Sequence, residues 1–253
     1  MKKAIIYTLV FLVIQLMAGA VMQTVWTLVK GAGAQLDATG TILMMVLLSL
    51  FTLAWFLFKK WTVVSPHWIR TRPWLVLLWC VLAALGAIIP STWLQEMMPE
   101  LPNIVEEEFD MILRNRYGYL VVGLLAPFAE EVVFRGAVLR ALLQWNKRPW
   151  VGIAISALLF SAAHMNPAQI PHTFLIGLLL GWLYYRTDSI IPGVVYHWVN
   201  NTVAYVLYNL YPSSDLTLTD LFGSQQRVLM AVGFSLCILI PSLIQLNYRM
   251  RKE

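Results

Sequence analysis

The chain has 253 residues, 59% hydrophobic and 12% charged, with a formal net charge of +5. Soluble domains carry about 25% charged residues, so this composition excludes a water-soluble globular protein and predicts one that lives mostly in lipid. The positive excess then marks where loops meet the membrane surface, and no nucleic-acid partner is expected.

A membrane-spanning helix needs about 17–25 apolar residues. Eight runs qualify, at 4–28, 39–58, 73–94, 117–145, 150–165, 170–186, 190–211 and 226–248. They predict an all-α, polytopic membrane helical bundle of about eight transmembrane helices. The whole of 1–253 reads as one transmembrane domain, with scaffold helices in 1–98 and a core in 117–211. Met1-Lys2-Lys3 and the small residues Ala18-Gly19-Ala20 fit a cleaved signal. The apolar stretch runs on to Val29, however, and predicts an uncleaved helix instead.

The connector from Gln95 to Arg116 holds Glu96, Glu100, Glu106, Glu107, Glu108 and Asp110. It reads either as a solvated loop with an interfacial helix or as an acidic lip that selects substrates. Loop charge gives the orientation. With the N-terminus inside, the cytoplasmic side gathers Lys2, Lys3, Lys59, Lys60, Arg70, Arg72, Arg140, Lys147, Arg148, Arg186, Arg249, Arg251 and Lys252. The opposite side keeps Lys30, Arg114, Arg116 and Arg227. Both termini are therefore expected in the cytoplasm of a bacterial-type inner membrane. Tryptophans 61, 68, 74, 93, 145, 150 and 182 fall mostly near span ends, as an interfacial belt does. Gly177 and Gly181 form a small-xxx-small pattern that lets a neighbouring helix approach. Cys80 and Cys237 stand alone in apolar runs and read as packing residues.

The fourth run contains Glu130, Glu131 and Arg135. A central membrane charge costs about 2.5–3.5 kcal/mol on insertion scales, so these three need partners. Glu131 and Arg135 are i and i+4 on one helical face and pair. Glu130 is turned about 100° away, free to face a cavity. Pro127 removes a helix hydrogen bond just upstream. The fifth run ends with Phe160 and His164, and the seventh carries His197 and Asn201, again at i,i+4. Two acids, two histidines and a carboxamide on three helices make a water-activating and oxyanion-binding set. A proton relay uses the same residue types. His172 in a connector reads as a structural hydrogen bonder, and His67 as solvated.

The order Glu130-Glu131-x-x-x-Arg135, Phe160-x-x-x-His164, His197-x-x-x-Asn201 resembles the EExxxR, FxxxH and HxxxN motifs of the CAAX protease and bacteriocin-processing (CPBP, or Abi) family. All three fall in order and in separate runs. The resemblance implies an intramembrane endopeptidase acting on a peptide or membrane-protein substrate in the bilayer. Glu130 with His164 would activate water, His197 and Asn201 would stabilise the oxyanion, and Arg135 would order the site through Glu131. The family carries a metalloprotease label. Glu130, His164 and His197 would be the candidate ligands for Zn2+ with one position left open, while a metal-free, glutamate-dependent mechanism uses the same residues. Two competing functions are a non-catalytic membrane immunity or scaffold protein and a proton-coupled carrier. The intact trio argues against the first, and the absence of paired broken spans in two matching halves argues against the second.

Overall fold

The computed structural model describes residues 1–63, 75–211 and 216–250. His67, Trp68, Arg70, Arg72, Trp74, Arg251 and Lys252 lie outside these residues. The described chain is all-α. In order come α1 (Lys2–Lys30), α2 (Ala38–Phe58), α3 (Leu75–Glu96), α4 (Glu106–Leu113), α5 (120–145) and α6 (Pro149–Ala163). Then follow α7 (Ile170–Thr187), α8 (Ile191–Leu210), α9 (Leu218–Phe222) and α10 (Gln225–Arg249).

Each predicted run has become a helix. Four of them, α1, α2, α3 and α10, are long and apolar enough to cross a membrane, and the chain is an integral membrane protein. The expected count of eight crossings does not follow from length and composition. The 15 residues of α6 reach only roughly 22 Å at 1.5 Å per residue, short of a hydrocarbon core of about 30 Å. Helices α5, α7 and α8 carry the charged and polar residues that lower mean hydropathy. They are held between the others, as the burial of Glu131, Arg135 and His197 shows.

Helix ends follow local chemistry. Asp37 caps α2, its carboxylate accepting from the Thr39 and Gly40 backbone N–H groups at 2.9 and 3.0 Å. Ser224 caps α10 by accepting from Arg227 N–H. These caps satisfy donors that have no intrahelical partner.

The two largest apolar clusters lie at the interior. One joins α1, α2, α5 and α6 through Phe11, Phe56, Phe134, Leu142 and Ile153. The other joins α3, α7, α8 and α10 through Cys80, Ala83, Leu180, Tyr196 and Leu246. Helices α6 and α7 meet closely because Gly177 and Gly181 lack side chains. A Cβ on either would come within 2.9 Å of Ala157 Cβ or Ile153 Cγ2. The predicted small-xxx-small contact is thus present.

Helix α5 alternates in pitch. Leu120–Leu125 and Val132–Leu139 are π-helical, flanking α-helical Ala126–Glu131. In the π register an N–H five residues on serves each carbonyl; for Val122 that donor would be Pro127, which has none. The Asn201 amide takes its place, Nδ2 donating to Val122 O at 2.9 Å. Hydroxyls serve the second π segment, Thr62 donating to Val132 O at 2.7 Å and Ser156 to Phe134 O at 3.1 Å.

Helices α3 and α10 touch backbone to backbone at Gly86, where an added Cβ would lie 2.7 Å from Leu239 N and 3.0 Å from its Cα. Gly86→Ala therefore forces the pair apart and is expected to cost about 1–3 kcal/mol, the usual range for overpacking. Denaturant unfolding of the purified protein in micelles checks this; an unchanged midpoint would contradict the close approach.

Candidate active site

The fourth predicted run delivers its three charges to the centre of the bundle. Glu131 and Arg135 are both completely buried, and Arg135 Nη1 donates to Glu131 Oε1 at 2.8 Å. The second end of the guanidinium donates to the Gly177 carbonyl at 3.3 Å. Its flat face lies 4.4 Å from the centre of the Phe160 ring, a cation–π contact that replaces lost hydration.

The carboxylate of Glu131 is seated by what its neighbours lack. A Cβ on Gly193 would stand 2.7 Å from Glu131 Oε2, so the glycine just after Pro192 opens the seat in α8. Two buried atoms, Glu131 Oε2 and Arg135 Nε, have no hydrogen-bond partner among the described residues.

Histidine 197 stands between the two acids. Its Nδ1 is 3.3 Å from Glu131 Oε1, and its Nε2 is 3.7 Å from Glu130 Oε2. Glu130 keeps 20% of its side chain exposed where Glu131 keeps none. Adjacent acids on one helix thus have opposite surroundings, one clamped by a cation and one facing open space.

That space is a cavity of about 1390 Å³, and Glu130, Phe160, His164, His197 and Asn201 all line it. The Phe160 ring organises this wall. It meets His164 edge-on at 4.8 Å, His197 at 5.9 Å and Phe134 at 5.2 Å. By helix length alone, His164 at the end of α6 should lie well away from His197 near the start of α8. The His164 side chain closes part of that gap by folding back one turn, its Nδ1 lying 2.9 Å from Phe160 O. Helical side chains lean toward the N-terminus in just this way.

The predicted pairs are drawn together unevenly. Glu130 contacts His197, while among the described residues no His164 nitrogen comes within 4.0 Å of a carboxylate oxygen. Any joint action of Glu130 and His164 runs through a bridging molecule. The Asn201 amide divides its capacity, with Nδ2 on Val122 O and Oδ1 accepting from Asn200 at 3.2 Å. Trp198 Nε1 donates to the Tyr119 hydroxyl at 2.9 Å, and that hydroxyl lies 3.1 Å from Thr202 Oγ1. Together these bonds fasten α8 to the first π segment of α5.

Three features escaped the sequence reading. His172, expected as a structural hydrogen bonder in a connector, lies in the first turn of α7 and on the cavity wall. It has no hydrogen-bond partner among the described residues. Gly193 gave no signal of its own beyond a Pro-Gly turn. The acidic connector folds into α4, whose Glu106, Glu107, Glu108 and Asp110 line the cavity; the lip reading therefore describes its place. The α4 segment is tied down by Tyr208 donating to Asp110, Tyr205 to Asn115 O at 3.1 Å and Asn209 to Leu113 O at 3.1 Å. Asn166, buried beside His164, clasps Asn103 and the Ile104 N–H at 2.8 and 3.2 Å.

The candidate zinc ligands Glu130, His164 and His197 do not make a ligand group. Among the described residues no three His, Cys, Asp or Glu side chains gather closely enough to hold a metal ion. This arrangement does not fit a three-ligand zinc site.

Comparison with known proteins bears on the same segment. Residues 114–203 match the family model described as type II CAAX prenyl endopeptidase Rce1-like. An uncharacterised 24.3 kDa protein of Escherichia coli is 34% identical over 84 residues, covering 31% of this chain and 38% of that protein. No solved structure matches. Over residues 114–203, which build the site from α5 to α8, the chain is thus similar to the Rce1-like CAAX endopeptidases, the CPBP family whose three motifs it carries in order.

Proposed function

We propose that the protein is an intramembrane endopeptidase that hydrolyses peptide bonds of membrane-associated or exported peptide substrates. The observation that carries this reading is the division of labour between adjacent acids. Glu131 is locked by Arg135, and Glu130 faces a cavity shared with His164, His197 and Asn201. A buried structural ion pair needs only the first acid; the second, left wet at the bundle centre, fits a general base.

In this reading a water sits between Glu130 and His164, which line the same cavity. Glu130 takes the proton as the water oxygen attacks the scissile carbonyl carbon. His197 acts here as an imidazolium, its Nδ1–H on Glu131 Oε1, so that its Nε2–H and the remaining Asn201 Nδ2 hydrogen meet the oxygen that becomes negative, a contribution typically worth about 2.7–4 kcal/mol per donor. Glu130 then returns the proton to the leaving amine as the carbon–nitrogen bond breaks. Residues 117–211 supply this chemistry. The protein sits in a bacterial-type inner membrane with both termini in the cytoplasm, and the acidic wall of α4 meets incoming chain.

Comparing the proteomes of cells carrying wild type and Glu130→Gln identifies the substrate. With that substrate, Glu130→Gln is expected to lower kcat by about 10²–10⁴-fold, the usual loss for a general base, while the unfolding midpoint holds. Unchanged cleavage would remove the proteolytic reading. Arg135→Met should behave oppositely, leaving the buried Glu131 charge unmatched and costing about 3–5 kcal/mol of stability. Denaturant unfolding in micelles checks this contrast, and equal midpoints for the two variants would contradict it.

A further inference from the structure

A second hollow, of about 690 Å³, opens where α2 and α5 begin beside each other. Its floor is apolar, from Ile42, Leu43, Val46 and Leu120, and its rim holds Arg114 and Arg116. Leu43 and Leu120 are about half exposed, at 48% and 47%.

The charge on the rim is not cancelled. Arg114 spends only its Nε, donating to both oxygens of Asp110 at 2.9 and 2.8 Å. Its two terminal nitrogens have no hydrogen-bond partner among the described residues. Arg116 pairs with no acid there. Its Nη2 donates to the Tyr117 hydroxyl at 2.8 Å, and its guanidinium lies 4.6 Å over the same ring. Asp37, which caps α2 close by, turns one oxygen onto the Thr39 and Gly40 N–H groups. With Arg114 paired to Asp110 and Asp37 turned to the backbone, Arg116 is the rim guanidinium that no acid among the described residues pairs.

We propose that this hollow binds an anionic phospholipid, its phosphate held by Arg114 and Arg116 and its first acyl carbons packed on Leu43, Val46 and Leu120. The match is twofold. One uncompensated cation suits a headgroup of one negative charge, whereas a zwitterionic headgroup brings a second cation to the same rim. The apolar floor lies on the first turns of α2 and α5 with the arginines on its rim, the order in which a lipid passes from phosphate to hydrocarbon. Arg114 also lines the catalytic cavity, so the lipid would rest on a wall common to both hollows. Binding itself does not depend on the proteolytic reading.

Native mass spectrometry of the full chain, purified in neutral detergent and given phosphatidylglycerol or phosphatidylcholine of the same acyl chains, tests the proposal. The wild type is expected to retain phosphatidylglycerol in preference. Arg116→Gln should weaken that retention about fivefold, the loss expected for one basic residue at an anionic surface, and Arg116→Lys should restore most of it. Leu43→Trp, which fills the floor and keeps both arginines, should weaken it as well. Equal retention of the two lipids, or undiminished phosphatidylglycerol in either Arg116→Gln or Leu43→Trp, overturns the proposal. Inorganic phosphate at millimolar concentration should leave the lipid bound. Complete displacement would mark a site for free phosphate and overturn the lipid assignment.

Discussion

The ion pair between Glu131 and Arg135 is the constraint around which this bundle is arranged. Both groups are removed entirely from solvent, and the desolvation cost of such a pair is offset by good geometry and by further contacts to its remaining polar atoms. Here the bundle meets it from three sides. Helix α7 offers the Gly177 carbonyl, α6 the face of Phe160, and α8 the imidazole of His197 together with a glycine where a side chain would collide. Two atoms remain unpartnered, so the pair is held with little to spare. Each helix that carries a conspicuous polar residue is therefore also a helix that the pair requires in place.

Fixing Glu131 fixes Glu130, because neighbours on one helix differ in direction by about 100°. Whichever way the arginine holds the first carboxylate, the second is carried onto another face. The π segments of α5 adjust that direction further. Their carbonyls at Val122, Val132 and Phe134 accept from Asn201, Thr62 and Ser156, and bulges of this kind recur at functional sites. Asn201 thus belongs to the helix geometry and to the cavity at once. Its bond to Val122 O ties the wall bearing His197 to the helix bearing both acids.

Much of this was legible in the residues. Periodicity fails as a guide in lipid, where helices are apolar all round, but length does not, and all eight predicted runs are helical. The i,i+4 spacings of Glu131 with Arg135 and of Phe160 with His164 express real contacts at 2.8 and 4.8 Å. What the sequence left obscure depends on three-dimensional placement. Nothing in the chain announces that Glu130 lies nearer His197 than His164, because that depends on how α6 and α8 are offset. His172 reads as a structural hydrogen bonder until the first turn of α7 is seen to form part of the cavity wall. The acids of 106–110 admit two readings, solvated helix or acidic lip, and both describe them: Glu106, Glu107 and Glu108 are exposed, and Tyr205, Tyr208 and Asn209 of α8 hold α4 beside the cavity. A count of crossings depends on helices such as the 15-residue α6, whose length and neighbours apolarity alone does not give.

The central claim is that Glu131 and Arg135 act as one unit, and a double-mutant cycle on stability measures that directly. Glu131→Gln, Arg135→Met and their combination would be unfolded by denaturant in the same micelles. If each single change strands a buried charge, the double variant should cost less than the sum, with a coupling of about 1–3 kcal/mol, as for residues in one buried network. Additivity to within about 0.5 kcal/mol would mean that the two side chains are independent, and would contradict the account.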